Sequence, residues 1–438
     1  MTIATATAVT VAPSPVARVL ALLGSMKLSV WLLLLLAALT WLGTLAQVGK
    51  STHEVQRDYF ESWFVTAELP LSVWGHALYE RDDGTPWPLR IPLPGAYPVL
   101  ALFCVNLIVG GLLRMKWNWR NAGILVTHVG IVLLLVAGAV KLHSSYAGML
   151  AVYENPVADG QRLAGRQYEA SSFISFHDYE LALLADRGET IEERLAPESA
   201  LWAARGDGAV TLRADGLPFT VEVRHFVDHA SVVPKGPKVQ TRMPVVDGAF
   251  VRAESWPVGV QPKSEAEIPA CYVTVRSDAG DRFEAILSGD PRVPKDRNRY
   301  PFTFTVRGQR YGLDLRAVVY DLPFAVRLDK FQKLDHPGTM SPRDFRSFVT
   351  VADATGSQEA QIFMNNPLRR DGYVVYQTNW GPQPAGGPPW YSVFEVSWNP
   401  SDVWPAIACI VIWIGLFLHF GKKLLGFLDS SARASLNQ

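Results

Sequence analysis

Four long apolar stretches interrupt an otherwise polar chain. Each approaches the roughly 20 residues that an α-helix needs to cross the hydrocarbon core of a bilayer. They cover residues 28–46, 96–115, 122–141 and 403–420. The pattern therefore predicts a membrane protein with four transmembrane α-helices.

The segment between the third and fourth spans carries a different pattern. Short runs rich in β-branched and aromatic residues recur between turn signals, at 219–226, 271–277, 282–289, 302–308, 311–320, 324–331, 345–353, 372–380 and 391–398. Short strands at roughly regular spacing are typical of an antiparallel sandwich or open barrel, and not of βαβ units. We therefore predict a large extracytoplasmic all-β domain over residues 144–402, inserted between helices 3 and 4.

Basic residues near the ends of the spans predict the orientation, because positive flanks are retained on the cytoplasmic side. They precede the first span, fill the connection between the second and third, and follow the fourth: Arg18, Lys27, Arg114, Lys116, Arg120, Lys422, Lys423 and Arg433. The terminal segments 1–27 and 421–438 should both be cytoplasmic. The loop 47–95 and the β domain should then lie in a periplasm, and the amphipathic stretch 53–64 of this loop should lie along the membrane or under the sheet.

Composition excludes several classes of function. The chain of 438 residues has 41 basic and 41 acidic residues, so no global field attracts nucleic acid, and we predict no nucleic-acid partner. Cys271 is the single cysteine outside the spans, and the chain has no CxxC for thiol exchange and no CxxCH for covalent haem. His225 and His229 lie four residues apart on a predicted strand, too far apart for one ion, so no divalent metal site is expected.

The third span carries a histidine, His128, about two helical turns from its start. An imidazole in hydrocarbon must be neutral or paired, and it often marks a site or a pathway. Two interpretations are open. The ring forms an interhelical hydrogen bond, or its neutral nitrogen binds a metal or a haem iron.

Two further histidines lie in or beside the spans. His143 emerges at the outer end of the third span, in a different layer from His128. His419, near the inner end of the fourth span, could approach the depth of His128 and complete a bis-imidazole site within the chain. Alternatively, it is an interfacial residue beside Lys422 and Lys423 that faces outward.

Several blocks of sequence resemble one known family. They are SMKLSVWLLLLLAALTWLGTLAQ (25–47), THVGIVLLLVAGAV (127–140), LDKFQKLDHPGTMSPRDFRSFVTV (328–351), IFMNNPLRRDGYVVYQTNW (362–380) and SVFEVSWNP (392–400). Together with the predicted topology, they are similar to the ResB family, the membrane component of System II cytochrome c biogenesis. Residues 150–260 match the family only loosely.

The resemblance implies a function in the bacterial inner membrane. With a CcsA-type partner, called ResC in some lineages, the protein would carry haem across the membrane and deliver it to apocytochrome c. His128 would be an axial ligand of haem b in transit, with the second ligand expected from the partner. The resemblance also implies a thioredoxin-like thiol-reducing protein among the partners. The chain lacks a tryptophan-rich WWD motif, so it would be a subunit of a holocytochrome c synthase or have no enzymatic activity alone.

Haem chemistry adds three basic candidates, and the β domain adds none. The propionates of haem could meet Arg114, Lys116 or Arg120, although topology already explains these residues. Turn and strand chemistry explains the block that resembles the family in the β domain: Asn365, Asn366, Pro367, Gly372, Tyr376 and Gln377.

Two other functions stay open. One is a membrane b-type cytochrome that transfers electrons through a permanent haem between His128 and His419. The other is a non-catalytic scaffold that holds the synthase partner through the β domain.

Overall fold

A computed structural model describes residues 14–47, 50–70, 72–73, 76–77, 88–155, 165, 167–253, 268–290, 301–339, 342–381 and 390–436. The described chain divides into two compact units. One contains both ends of the chain, up to Ser144 and from Pro400, and the other consists of residues 145–255 and 263–399.

The first unit is built from helices. They are α1 (Pro15–Leu23), α2 (Met26–Ala46), α3 (Thr52–Val55, continued by a π-helical turn Gln56–Phe60), α4 (Ala96–Asn106, continued by a π-helix Leu107–Leu113), α5 (Ala122–Ser144) and α6 (Trp404–Leu436). Within the described residues, α2, the continuous segment Ala96–Leu113, α5 and α6 are long and apolar enough to cross a membrane. The predicted four spans are confirmed.

The helix ends differ from the predicted limits for local reasons. The helix α2 begins two residues early because Ser25 caps it: the Leu28 N–H donates to the Ser25 hydroxyl over 3.2 Å. The helix α6 continues to Leu436, since the lysines that end its apolar run are good helix formers. The nine-residue helix α1 was not predicted.

The loop between α2 and α4 contains α3 and a hairpin of β1 (Phe64–Pro70) and β4 (Pro88–Pro94), with β2 (Ser72–Val73) and β3 (His76–Ala77) between them. Residues 78–87 lie outside the described part of this loop. The amphipathic stretch is helical up to Phe60 and packs against α2, a contact that was not predicted. A Cβ built on Gly43 of α2 would lie 3.4 Å from Val55 and 3.4 Å from Phe60.

The second unit is a β domain of antiparallel sheets, as predicted. Its strands are β5 (Tyr146–Tyr153), β6 (Glu169–Asp186), β7 (Ile191–Pro197), β8 (Ala209–Leu212), β9 (Phe219–Val227), β10 (Ala230–Pro234), β11 (Ala249–Ala253), β12 (Ala270–Ser277), β13 (Arg282–Ser288), β14 (Phe302–Val306), β15 (Gln309–Asp335), β16 (Pro342–Asp353), β17 (Gly356–Phe363), β18 (Leu368–Arg370), β19 (Tyr373–Gly381) and β20 (Tyr391–Trp398). A 3₁₀-helix spans Glu198–Ala204.

Ten of these strands form one sheet. Its order is β17-β16-β15-β6-β5-β20-β19-β18, with β14 paired to β15 and β7 paired to β6. A second sheet has the order β13-β12-β9-β8, and β10 pairs with β11. One buried core lies where the four-stranded sheet faces β6, β14 and β15, and a second is enclosed by β5, β15, β16, β17, β19 and β20.

All nine predicted strand runs are strands, but two of them join. The runs 311–320 and 324–331 belong to the single strand β15, although Pro323 lies between them. The pairing of β15 with β6 shifts register between Asp321 and Val326, so no regular ladder bond needs an N–H from Pro323.

Candidate functional site

The imidazole of His128 lies between α5 and the π-helical part of α4. Its Nδ1 lies 2.8 Å from the carbonyl oxygen of Ile124, one turn earlier in α5. On the other side the ring faces Gly111, where a Cβ would approach the His128 Cδ2 to 2.5 Å and Nε2 to 3.0 Å. The absence of a side chain at Gly111 therefore makes the space that the ring occupies.

The hydrogen bond to Ile124 determines which nitrogen can bind a ligand. A carbonyl oxygen only accepts, so Nδ1 must carry the proton and donate it. A neutral ring then has its lone pair on Nε2, the arrangement that a second hydrogen bond imposes on metal-bound histidines. Among the described residues Nε2 has no hydrogen-bond partner, and the side chain of His128 is half-buried. His128 thus presents a nitrogen donor that no hydrogen bond of the described chain occupies.

The π-helical segment of α4 positions this donor. Two adjacent glycines lie on it, Gly110 and Gly111, and they face different neighbours. A Cβ on Gly110 would lie 2.7 Å from the carbonyl oxygen of Gly24, at the joint between α1 and α2. The same π-helical turn therefore contacts the joint between α1 and α2 through Gly110 and contacts His128 through Gly111. Such π-helical turns are frequent at functional sites.

The residues around His128 fit a haem ligand. The ring is half-buried in an apolar helix that contains Leu125 and Val129, and its available nitrogen is the usual donor to haem iron. An apolar wall suits the face of a porphyrin. The donor set therefore agrees with the chemistry that the family resemblance implies.

The structure places His419 elsewhere. A Cβ on Gly123 of α5 would lie 2.6 Å from the backbone nitrogen of His419, so it is the backbone of His419 that meets α5. The His419 ring packs at 5.2 Å from the ring of Phe420. In the described chain no ring contact joins His419 to His128.

The two rings do not meet because of the way α5 packs against α6, along a line of contact that we call the seam between these helices. A Cβ on Gly415 would lie 2.6 Å from the Thr127 backbone nitrogen, and one on Gly130 would lie 3.0 Å from the Ala408 carbonyl oxygen. Small residues thus let the two backbones approach closely. Thr127 faces α6, whereas its neighbour His128 is turned by about 100° and faces α4.

Arg114 has a structural partner. Its guanidinium donates to the carbonyl oxygens of Leu20 and Ala21, both over 3.3 Å, at the C-terminal end of α1. Cations stabilise this end of a helix because its last carbonyl groups lack helical partners. The side chain that we considered for a propionate therefore anchors α1.

Sequence reasoning overlooked Asn106, which is buried in α4. Its amide donates to the carbonyl oxygens of Leu23, over 2.6 Å, and Ser25, over 3.1 Å, and its oxygen accepts from the Ser29 hydroxyl over 2.5 Å. The sequence did contain a signal for this role, because a lone Asn in an apolar run must find hydrogen-bond partners. Asn106 fixes the joint between α1 and α2.

His143 lies at the C-terminal end of α5 and repeats the geometry of His128. Its Nδ1 lies 3.1 Å from the Ala139 carbonyl oxygen, so Nε2 again has the lone pair. The ring is 6.1 Å from that of Tyr97 near the start of α4, and Tyr97 is 6.4 Å from Trp63. The imidazole is exposed.

The block of the β domain that resembles the family forms turns and strands, as predicted. Asn365 has a φ of 61°, and Asp371 and Gly372 have φ of 51° and 81° between β18 and β19, which is typical of an Asp-Gly hairpin turn. Gln377 accepts a hydrogen bond from the buried Ser347, which also pairs with Ser392 over 2.7 Å. These residues hold β16, β19 and β20 together.

Other polar groups of the β domain also have structural partners. Burial raises the pKa of the Cys271 thiol to about 12, so it is not a nucleophile at neutral pH. The strand β9 ends at Val227, so His229 lies beyond the strand on which it was predicted. His225 has a φ of 49° where the pairing of β9 with β12 is irregular, and its Nδ1 lies 2.9 Å from the Gly206 carbonyl oxygen.

The fold and the site define a class: a membrane protein with four apolar helices, a large antiparallel β domain and an imidazole donor within the helices. Comparison with known proteins adds two similarities. Residues 303–387 match the ResB-like family. The chain is also similar to Protein NrfI of Wolinella succinogenes, with 29% identity over 114 residues, which are 26% of this chain and 11% of that protein, so the likeness covers a small part of that relative. These matches confirm the predicted resemblance to the ResB family over the parts of the chain that they cover.

Proposed function

We propose that this protein acts in cytochrome c biogenesis and holds haem in transit through the membrane. The observation that carries the proposal is the Nε2 of His128, which has no hydrogen-bond partner among the described residues and lies in an apolar helix, with Nδ1 bonded to the Ile124 carbonyl oxygen. Haem is the cargo and not a resident group. The ResB-like match supports the pathway, although it lies in the β domain and not in α5.

In this proposal each part of the site has one task. Nε2 of His128 binds the iron, the carbonyl of Ile124 holds the ring in the tautomer that can bind, and Gly111 leaves room for the ring. The apolar faces of the helices cover the porphyrin and keep water from it. A CcsA-type membrane subunit supplies the second axial ligand and, with this protein, passes haem to apocytochrome c.

The proposal includes the orientation. The basic flanks of the spans favour cytoplasmic termini, and the β domain is then periplasmic, on the side where cytochromes c mature. Haem would enter near the N-terminal end of α5 and leave near its C-terminal end. A thioredoxin-like protein would keep the thiols of the apocytochrome reduced.

The test is co-expression with a CcsA-type partner, followed by an absorption spectrum of the purified pair. We expect His128→Ala to lower both the haem content of the pair and the yield of c-type cytochrome. Added imidazole should restore part of each, because it can fill the axial position. His336→Ala is the matched control, since His336 is exposed in a turn of the β domain. Unchanged haem and cytochrome after His128→Ala would contradict the proposal.

The same spectra separate the two alternatives. A resident b-type cytochrome would keep stoichiometric haem when the chain is expressed alone, and His419→Ala would remove it as completely as His128→Ala. The proposal expects His419→Ala to retain haem, because the backbone and not the ring of His419 meets α5. A scaffold would show no effect of either substitution on haem.

A further inference from the structure

The short helix α1 carries an apolar face that the described chain leaves uncovered. Val16, Val19 and Leu20 recur on this face at helical spacing, and they are 68%, 55% and 43% exposed. Arg18 lies about 150° from the centre of the face around the helix axis. Contact between water and such a face is unfavourable, because apolar surface is stabilised by its removal from water. We therefore asked what the surroundings of α1 would place against it.

The helix α1 is not a part of the neighbouring span. Its nine residues rise by about 14 Å, less than half of a hydrocarbon core of about 30 Å. The chain breaks between the two helices, because the Gly24 N–H closes α1 on the Leu20 carbonyl oxygen and the extended Ser25 caps α2. The 21 residues of α2 are enough to cross the membrane alone. The helix α1 therefore lies where this span ends, at the surface of the bilayer.

Contacts from the end of α4 hold α1 at this level. The amide of Asn106 donates to the carbonyl oxygens of Leu23 and Ser25, and the guanidinium of Arg114 donates to those of Leu20 and Ala21. Arg114 follows directly on the last residue of the span Ala96–Leu113. The last turn of α1 is therefore fixed at the level where α4 also leaves the membrane.

The neighbouring residues at this level are typical of a membrane interface. Trp117 and Trp119 follow α4 and are 76% and 79% exposed. Tryptophan is enriched where the hydrocarbon core meets water. The Lys422 Nζ lies 4.5 Å from the centre of the Trp119 ring, so the span in α6 ends at the same level. The helix α1 thus lies at the depth of the lipid headgroups.

The charges at this end of the helical unit complement a phospholipid surface. All charged residues of segments 14–27, 114–121 and 421–436 are basic except Asp429: Arg18, Lys27, Arg114, Lys116, Arg120, Lys422, Lys423 and Arg433. Basic side chains at a membrane surface are attracted by anionic headgroups. A helix with an apolar face and a basic residue opposite binds in the plane of such a surface.

We propose that α1 is an interfacial helix that binds the phospholipid surface, with Val16, Val19 and Leu20 against the acyl chains and Arg18 toward water. The binding is non-covalent and occurs in the leaflet where α2 begins. The proposal does not depend on the handling of haem. Lipid would hold α1 on its apolar face, while Asn106 and Arg114 hold its last turn.

The direct test measures the depth of single positions in α1. In the full chain with its three native cysteines replaced by alanine, one spin label is attached at a time, in nanodiscs of phosphatidylcholine and phosphatidylglycerol. Oxygen concentrates in lipid and a nickel chelate stays in water, so power saturation in electron paramagnetic resonance separates the two environments. The labelled variants are Val16→Cys, Val19→Cys and Leu20→Cys on the apolar face, and Ala17→Cys and Ala21→Cys on the other face.

The apolar-face labels should collide mainly with oxygen, and the labels at Ala17 and Ala21 mainly with the chelate. This alternation follows the helical period of 3.6 residues only if one side of α1 lies in lipid. Two further labels give the limits of the scale. Leu33→Cys is half exposed in the middle of α2 and should report lipid, and Glu189→Cys in an exposed turn of the β domain should report water.

A pair of substitutions tests the same face in another way. Val19→Asp should move a label at Val16 from lipid into water, because a carboxylate is costly among acyl chains. Ala17→Asp adds the same carboxylate to the opposite face and should leave the label at Val16 in lipid. An unchanged reading at Leu33 shows that α2 still crosses the bilayer in both variants.

Two outcomes would overturn the proposal. Access of the chelate to all five labelled positions would show that α1 projects into water. Exclusion of both oxygen and the chelate from the apolar face would show that a protein surface, such as a second copy of the chain, covers it. Neither outcome changes the haem content of the pair with a CcsA-type partner, so the proposed function stands or falls separately.

Discussion

At the scale of residues, the imidazole of His128 is held by one hydrogen bond and one missing side chain. The Ile124 carbonyl determines its tautomer, and Gly111 provides its space. The histidine itself was predictable, because a polar ring in an apolar run is conspicuous. Its glycine was not, since nothing in the sequence shows that α4 becomes π-helical and turns Gly111 toward α5.

The glycine leads to a prediction. In Gly111→Ala the new methyl group would lie 2.5 Å from the His128 Cδ2, so the ring must move. Overpacking of this kind costs about 1–3 kcal/mol, and we expect lower haem content in the purified pair with a CcsA-type partner. Gly138→Ala is the matched control on α5, because its methyl group enters open space. Haem content that falls equally in both variants would contradict the prediction.

A second prediction concerns Arg114. Because its guanidinium binds the Leu20 and Ala21 carbonyl oxygens, Arg114→Ala should loosen α1 and leave haem content unchanged. A spin label at the exposed Val16 should report greater mobility of α1 by electron paramagnetic resonance. Loss of haem without a change in label mobility would instead support contact between Arg114 and a propionate.

A third prediction uses the pH dependence of the β domain. The Thr355 hydroxyl and N–H, with the Arg370 guanidinium, lower the pKa of Asp353 to about 2. A carboxylate with a lowered pKa stabilises the fold above its unfolded pKa of about 4, and this stabilisation is lost as the pH falls through about 2. Asp353→Asn should therefore lower the unfolding temperature at pH 7.

The difference from the unchanged protein should hold down to about pH 4 and shrink between pH 4 and about pH 2. Circular dichroism in detergent measures it. Asp207→Asn is the control, since Asp207 is exposed and has no hydrogen-bond partner among the described residues. A difference that does not vary with pH would show that the charge of Asp353 is not what stabilises the turn.

At the scale of elements, length and pattern decided what could be predicted. The four spans and nine strand runs were found because each is long or clearly alternating. The helix α1 was missed because it has only nine residues, far fewer than a membrane span. The strand β6 was missed because its burial alternates irregularly and its inward residues include Ala and Ser. Tertiary pairing, and not local pattern, determines such elements.

The seam between α5 and α6 gives a prediction at this scale. A Cβ on Gly415 would clash with the Thr127 hydroxyl and lie 2.6 Å from the Thr127 backbone nitrogen. Gly415→Leu should therefore separate the two helices and lower the thermal stability of the purified chain. Gly421→Leu on the same helix meets nothing within 4 Å and should have little effect. Equal stability of the two variants would contradict close packing at this seam.

At the scale of the whole molecule, the family match and the candidate site lie in different units. Residues 303–387 belong to the β domain, whereas His128 and His143 belong to the helical unit. The match therefore supports the class of protein, and the chemistry must be argued from the helices alone. It follows that a substitution at His128 should leave the fold of the matched region undisturbed.

The orientation of the whole chain gives the last prediction. In a chain whose three native cysteines are replaced by alanine, one cysteine is introduced at Trp117, in the exposed connection between α4 and α5, or at Glu189, in the exposed turn between β6 and β7. The basic residues around Trp117 should retain this connection in the cytoplasm. A membrane-impermeant maleimide should therefore label Glu189→Cys in intact spheroplasts and Trp117→Cys only after lysis.

Asp429→Cys near the end of α6 should behave as Trp117→Cys does, because the two spans α5 and α6 separate these positions and return the chain to the same side. Labelling of Trp117→Cys in intact spheroplasts would reverse the orientation, and haem would then have to enter near the C-terminal end of α5.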